Sequence, residues 1–194
     1  MGAAFNPMMA TVLPVLNEGN HIGACLDSLI QQTYPASRHM ILVLDGGSSD
    51  ETAKEVEAAI LRSTRADGPQ IELHSNPGRF VAEGRNLALE LLPGSVTHVL
   101  ELIGHSTVKP DHIAVMVEEW NRISEIESRP LAALGCRVAA REGELGTVES
   151  WVEATLASPM GSGGGQFDTF SKAAPCKIPA FVLHARDALV AVGG

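Results

Sequence analysis

Ala10-Thr11-Val12-Leu13-Pro14-Val15-Leu16, followed by Asn17-Glu18 and then by Ile22, Leu26, Leu29 and Ile30, is the stretch that decides the fold. The first seven residues form a short, β-rich apolar run, and the apolar positions after it fall at spacings of four, three and one, the stripe of an amphipathic helix. One β–α step is therefore predicted, and the chain repeats it. Met40–Leu44 is a second apolar run, and Ser48-Ser49-Asp50-Glu51 has the form of a capping box opening a second helix through Val56 and Ile60. Ile71 and Leu73 mark a third strand, and Val81–Leu92 a helix closed by Pro93-Gly94. His98–Ile103 predicts a fourth strand, Asp111–Ile123 a helix behind Pro110, and Leu131–Val138 a fifth strand. Further on, Thr147–Ala157 reads as helix, Pro159–Gly165 as a glycine-rich stretch and Ile178–Leu183 as a late strand. Alternating strands and helices imply a mostly parallel sheet covered on both faces, with its ligand crevice at the carboxyl ends of the strands near the switch in strand order.

Composition narrows the functions available. A chain of 194 residues with 45% apolar content is sized for a single domain, here taken as 1–194. With 14 Lys+Arg against 23 Asp+Glu, the net charge of -9 repels phosphate backbones, so nucleic acid is not an expected partner. No apolar stretch is long enough to span a bilayer and no charged leader precedes one, so a cytoplasmic location is expected. Cys25, Cys136 and Cys176 lack C-x-x-C spacing and read as reduced thiols. The pattern G-x-G-x-x-G is missing from Leu16-Asn17-Glu18-Gly19-Asn20 after the first strand, which argues against hydride chemistry on a dinucleotide.

Site candidates sit just after strands: Pro14-Val15-Leu16-Asn17-Glu18, Asp45-Gly46-Gly47-Ser48-Ser49-Asp50, and His105. These clusters, with Gln32-Thr33-Tyr34-Pro35 and the stretch from Gly78-Arg79 to Gly84-Arg85-Asn86, stand in the order and spacing of glycosyltransferase family 2, which the chain resembles. The resemblance implies a GT-A α/β/α sandwich with a mostly parallel central sheet, and an inverting transfer of sugar from a nucleotide-diphospho-sugar, UDP-linked, to a polysaccharide or lipid-linked glycan. It also implies that Pro14, Asn17, Glu18, Asp45, Gly46 and Arg85 bind the donor. A carboxylate at Asp45 suits the imide N–H of uracil, the small Gly46 lets the backbone turn closely around a base, and an arginine's fork of donors suits anionic oxygens. Asp50 reads instead as an acid of the helix start.

The family places an acidic element after the fourth strand, where a divalent cation, Mn²⁺ or Mg²⁺, neutralises the departing diphosphate. Here Leu100-Glu101-Leu102-Ile103-Gly104-His105-Ser106 puts Ile103 at the first acidic position and His105 at the metal-contacting one. His105 fits the D-G-H form of relatives resembling succinoglycan-type transferases; Ile103 departs from it. A bond from the His105 ring to a nearby loop carbonyl is the alternative for that residue, and Glu101 reads as a strand acid paired with a base. His21, His39, His74, His98, His112 and His184 show no metal-ligand spacing and read as surface or packed rings. The resemblance reaches Gly193-Gly194, where the family continues toward an acidic general base. The expectation is a chain lacking the C-terminal acceptor portion, with the base supplied by that segment or by a membrane-associated partner at the inner face of the membrane. A non-catalytic sugar-nucleotide-binding or assembly module is the second reading.

Overall fold

The computed structural model describes residues 6–138, 146–158, 173–175 and 180–193; the glycine-rich stretch at 159–165 and residues 176–179 of the late segment lie outside them. The elements are β1 (Met9–Val15), α1 (Ile22–Ile30), β2 (His39–Asp45), α2 (Thr52–Arg65), β3 (Gln70–Ser75), α3 (Val81–Leu91), β4 (His98–Glu101), α4 (His112–Ile126), β5 (Ala133–Cys136), α5 (Thr147–Leu156), β6 (Ala180–Ala185) and α6 (Arg186–Val192). They build one six-stranded sheet in the order β3-β2-β1-β4-β6-β5. The first four strands in that order run parallel, and β6 enters antiparallel between β4 and β5.

Side-chain alternation sorts β1 between two cores. Leu13 and Val15 pack with Ile22, Leu26, Val56 and Ile113 on the side of α1, α2 and α4. Ala10 and Val12 pack with Leu42, Leu44, Ala88 and Leu92 on the side of α3. Both faces are covered, so β1 and β2 read as continuous apolar runs rather than alternating ones.

Two polar motifs fasten elements within each helical layer. Gln32 sits just past α1, where its amide donates to the Lys109 carbonyl at 2.7 Å and its carbonyl accepts the Ile113 amide at 3.0 Å, tying α1 to the start of α4. Arg186 opens α6 and donates to the carbonyls of Leu89, Leu92, Pro93 and Val96, satisfying orphan acceptors at the C-terminal end of α3.

The expected capping box does not form. Helix α2 begins at Thr52, whose amide is bonded by the Asp50 carboxylate at 3.0 Å, while Glu51 pairs with Lys54. The Ser48 oxygen accepts the Asn17 amide at 2.8 Å instead of a helix amide, and its O–H donates to the Asp45 carboxylate at 2.6 Å, a charge-assisted bond that holds the side chain at the strand exit. The late strand spans Ala180–Ala185, and β4 ends at Glu101, two residues short of the sequence expectation.

His39 is 2% exposed and shares a hydrogen bond of 2.8 Å with the Thr11 hydroxyl. Burial pushes its imidazole down to about 4 from the ordinary 6.5. Between those values the unfolded chain holds a proton that the folded one refuses, so stability falls as pH drops through the window. His98 and His112 are also lowered by burial and act in the same direction. Urea denaturation should therefore show a loss of about 3 kcal/mol attributable to His39 between pH 7.5 and pH 4, and His39→Gln should flatten most of it.

Candidate functional site

The strand order reverses direction at β1, with β2 on one side and β4 on the other, and the crevice outside their carboxyl ends is where an open α/β sheet binds ligands. The exit of β1 is stitched there to the exit of β2. The amides of Asn17, Glu18 and Gly19 donate in turn to the Ser48 hydroxyl (2.8 Å), the Thr52 hydroxyl (2.8 Å) and the Asp50 carboxylate (2.9 Å). The Asn17 side chain returns the contact by accepting the Ser49 amide at 2.9 Å. Asn17 pays for this with a left-handed backbone, φ 55°, a conformation asparagine tolerates better than other L residues. The Thr52 hydroxyl holds the exposed Asp50 carboxyl below its ordinary range, with the Gly19 and Thr52 amides adding to the effect.

Asp45 closes β2, and its Oδ1 accepts both the Ser48 amide at 2.9 Å and the Ser48 hydroxyl at 2.6 Å. One carboxylate oxygen is thereby pinned, and Oδ2 has no partner among the described residues. The turn beyond it is tight. The Gly46 amide donates to the Val15 carbonyl at 2.9 Å, and a Cβ at Gly46 would stand 2.6 Å from the Arg79 carbonyl oxygen. Behind this turn, Asn76 donates its amide to the Asp45 carbonyl at 2.7 Å. Pro14, half-buried on β1, meets Gly84 of α3, where an added Cβ would lie 3.2 Å from the proline's own.

On the β4 side, His105 Nδ1 bonds Glu18 Oε1 at 2.7 Å, with the ring about half exposed. The partner is a carboxylate from the β1 exit rather than a loop carbonyl. Gly104 makes the approach possible, since a Cβ there would lie 3.0 Å from Glu18 Cγ and 3.1 Å from Val15 Cγ1. A histidine whose Nδ1–H is held by a carboxylate keeps its tautomer fixed and presents Nε2 outward, the arrangement found behind metal-ligating imidazoles. Among the described residues no group of three His, Cys, Asp or Glu is placed to hold a metal ion. The Ile103 carbonyl accepts the Ser106 amide and hydroxyl, so the backbone of this segment is committed to a turn.

Asn17, Glu18, Asp45, Gly46 and His105 thus come together at the exits of β1, β2 and β4. Arg85 lies apart, on α3, where its Nη2 pairs with Glu101 Oε2 at 3.1 Å. Glu101 also faces His184 of β6 at 3.6 Å, and the three line a cavity of about 350 Å³ between α3, the sheet and α6. Glu101 is accordingly a strand acid paired with a base, and Arg85 Nε is buried there without a partner among the described residues. Burial raises Cys25 to about 12, which keeps it a neutral thiol and removes it as a nucleophile. Sequence reasoning missed Ser48 and Asn76 as the groups that fix Asp45. Ser48 carried a signal, its place three residues after an acid at a strand end, which the capping reading absorbed.

Residues 11–144 match the family described as glycosyl transferase family 2, more than half of the chain. The chain belongs to glycosyl transferase family 2. It is 34% identical over 96 residues to glycosyltransferase AglE of Haloferax volcanii, covering 49% of this chain and 30% of that protein. It is 28% identical over 108 residues to the succinoglycan biosynthesis protein ExoA of Rhizobium meliloti, covering 56% of this chain and 31% of that protein. The chain spans about a third of the length of these relatives. The mannosyltransferase PcManGT of Pyrobaculum calidifontis, solved with GDP-Man and Mn²⁺, superposes with a TM-score of 0.65 at 18% identity over 98% of this chain and 48% of that one. The fold is that of the GT-A glycosyltransferases.

Gly46→Ala should force the Arg79 carbonyl away from the turn and cost about 1–3 kcal/mol in chemical denaturation, because the obstructing atom is backbone.

Proposed function

We propose that this chain carries the donor-binding site of an inverting glycosyltransferase that moves sugar from a nucleotide-diphospho-sugar, UDP-linked, to a glycan or lipid-linked acceptor. The observation that carries the reading is Asp45: one oxygen is immobilised by Ser48 and the other is left open at the switch point of the sheet. A pinned carboxylate accepts the imide N–H of uracil without reorganising, which is how a buried edge reads a base. Asn17 and Gly46 tie the β1 and β2 exits together, which supports a base seated between them, and Pro14 and Glu18 are proposed to line its edge. Arg85, paired with Glu101 beside α3, would reach the anionic part of the donor only by leaving that pair.

A divalent cation, Mn²⁺ or Mg²⁺, would find one protein ligand among the described residues here. His105 would hold it through Nε2, Glu18 would orient that ring, and substrate oxygens would complete the shell, as is usual for ions bound with phosphates. When bound, it neutralises charge on the departing diphosphate. The transfer joins an acceptor oxygen to the anomeric carbon as the bond to the diphosphate breaks, and the acceptor's proton passes to a general base. A single domain, 1–194, is proposed to supply the donor side of this chemistry, working in the cytoplasm beside a membrane-borne acceptor or partner. Among the described residues no helix is long and apolar enough to cross a membrane.

Calorimetric titration with UDP, GDP and their sugar conjugates, with and without Mn²⁺, tests the reading. Saturable binding of one nucleotide that Asp45→Ala weakens by about tenfold or more is expected, since hydrogen bonds to charged groups contribute about 1.5–3 kcal/mol. The absence of binding under every condition would sink it.

Ile103 favours a second reading, a non-catalytic module that binds or assembles, because isoleucine supplies no oxygen to a cation or ribose. Under the catalytic reading Ile103→Asp should strengthen nucleotide binding in the presence of Mn²⁺ by about tenfold and leave metal-free binding unchanged. Identical Mn²⁺ dependence in the variant and the parent would favour the module.

A further inference from the structure

We propose that Phe80 is the platform on which the donor's nucleobase stacks, which makes the 76–80 loop an affinity element of the base site. The inference rests on the nucleotide-sugar reading above and names the part of the site that covers the base. Phe80 is 69% exposed, and a lone exposed apolar side chain ordinarily needs no explanation. Phe80 differs because the loop that carries it is locked to the Asp45 turn. Asn76 is 3% exposed, donates its amide to the Asp45 carbonyl at 2.7 Å, and donates its side-chain amide to the Phe80 carbonyl at 2.9 Å. The Arg79 amide donates to the Asn76 carbonyl at 3.0 Å and the Phe80 amide to the Gly78 carbonyl at 2.8 Å. Arg79 takes a left-handed backbone, φ 67°, to close this loop, and its carbonyl occupies the space a Cβ at Gly46 would need. Phe80 is therefore attached to the very atoms that touch Gly46, the residue after Asp45.

The chemistry around Asp45 lacks one component of a base site, and Phe80 supplies it. Asp45 and Ser48 offer a polar edge, and the turn beside them is open, with no heavy atom within 4 Å of a Cβ built at Gly47. A base read at its edge still exposes two apolar faces to water, and an aromatic ring removes one of them. Of the large aromatics elsewhere among the described residues, Tyr34 and Trp120 are buried in the core, Phe181 of β6 packs against that core and Trp151 lies on α5. Phe80 is the aromatic carried on the loops that adjoin Asp45. Stacking tolerates any base, so Phe80 adds affinity while the open Asp45 oxygen selects bases that carry an imide N–H.

The test uses the 194-residue chain, with calorimetry against whichever of UDP and GDP the wild type binds, for Phe80→Ala, Phe80→Leu and Phe80→Trp. Phe80→Ala and Phe80→Leu should weaken binding about tenfold, Phe80→Trp should retain it, and all three should melt with the wild type, since the side chain is exposed. Unchanged affinity in Phe80→Ala overturns the inference and leaves the nucleotide reading standing. A loss of affinity that comes with a lowered melting temperature also overturns it, assigning Phe80 a structural part. Failure of the wild type to bind either nucleotide overturns the proposed function, and this inference with it.

Discussion

Strand β1 lies between β2 and β4 with helices on both faces, and that placement constrains everything around it. Its seven residues pair in unbroken parallel register with β2, and none of its side chains has a solvated face on which to be polar without a partner. Thr11 shows the rule, since its hydroxyl is buried and bonded to His39 from the neighbouring strand. Polar chemistry is therefore expelled to the end of the strand, where Asn17 and Glu18 leave the sheet. The candidate site sits at the switch point because that is the first place on the central strand where an acid can stand in water.

The two crevice loops hold one another through side chains rather than through a sheet ladder. Asn17, Glu18 and Gly19 spend their amides on Ser48, Thr52 and Asp50, and Asp45 spends an oxygen on Ser48. Ser48 is the shared member, accepting from one loop and donating to the acid of the other. A site built this way is rigid before a ligand arrives, and the cost of ordering it is met during folding rather than during binding.

Much of this architecture was legible in the sequence because it is local. The strand–helix alternation, the apolar stripe of α1 and the acids at strand ends are properties of a few adjacent residues, and all appear where the periodicity put them. What escaped was non-local. Ser48 followed by Glu51 has the pattern of a helix cap, and nothing nearby in the sequence reveals that the Asn17 amide, from the exit of another strand, takes the Ser48 oxygen. The pairing of Arg85 with Glu101 joins α3 to β4, and the bond between Glu18 and His105 spans most of the chain between them. The antiparallel entry of β6 between β4 and β5 is invisible to any window of sequence, since it is set by which sheet edge is open when the late strand arrives.

That late insertion gives the chain an order of assembly. Among the described residues, the edge of β4 that faces away from β1 is paired by β6, and Arg186 beside it caps carbonyls at the end of α3. Until those residues leave the ribosome, the nascent sheet carries a bare strand edge in its interior and a helix with unsatisfied acceptors. Such an edge is a template for pairing with another chain. Closing it requires a contact of long sequence separation, which forms slowly. The growing polypeptide is thus most prone to aggregation between the synthesis of β4 and that of β6, an interval in which a chaperone or slow translation would have the greatest influence on yield.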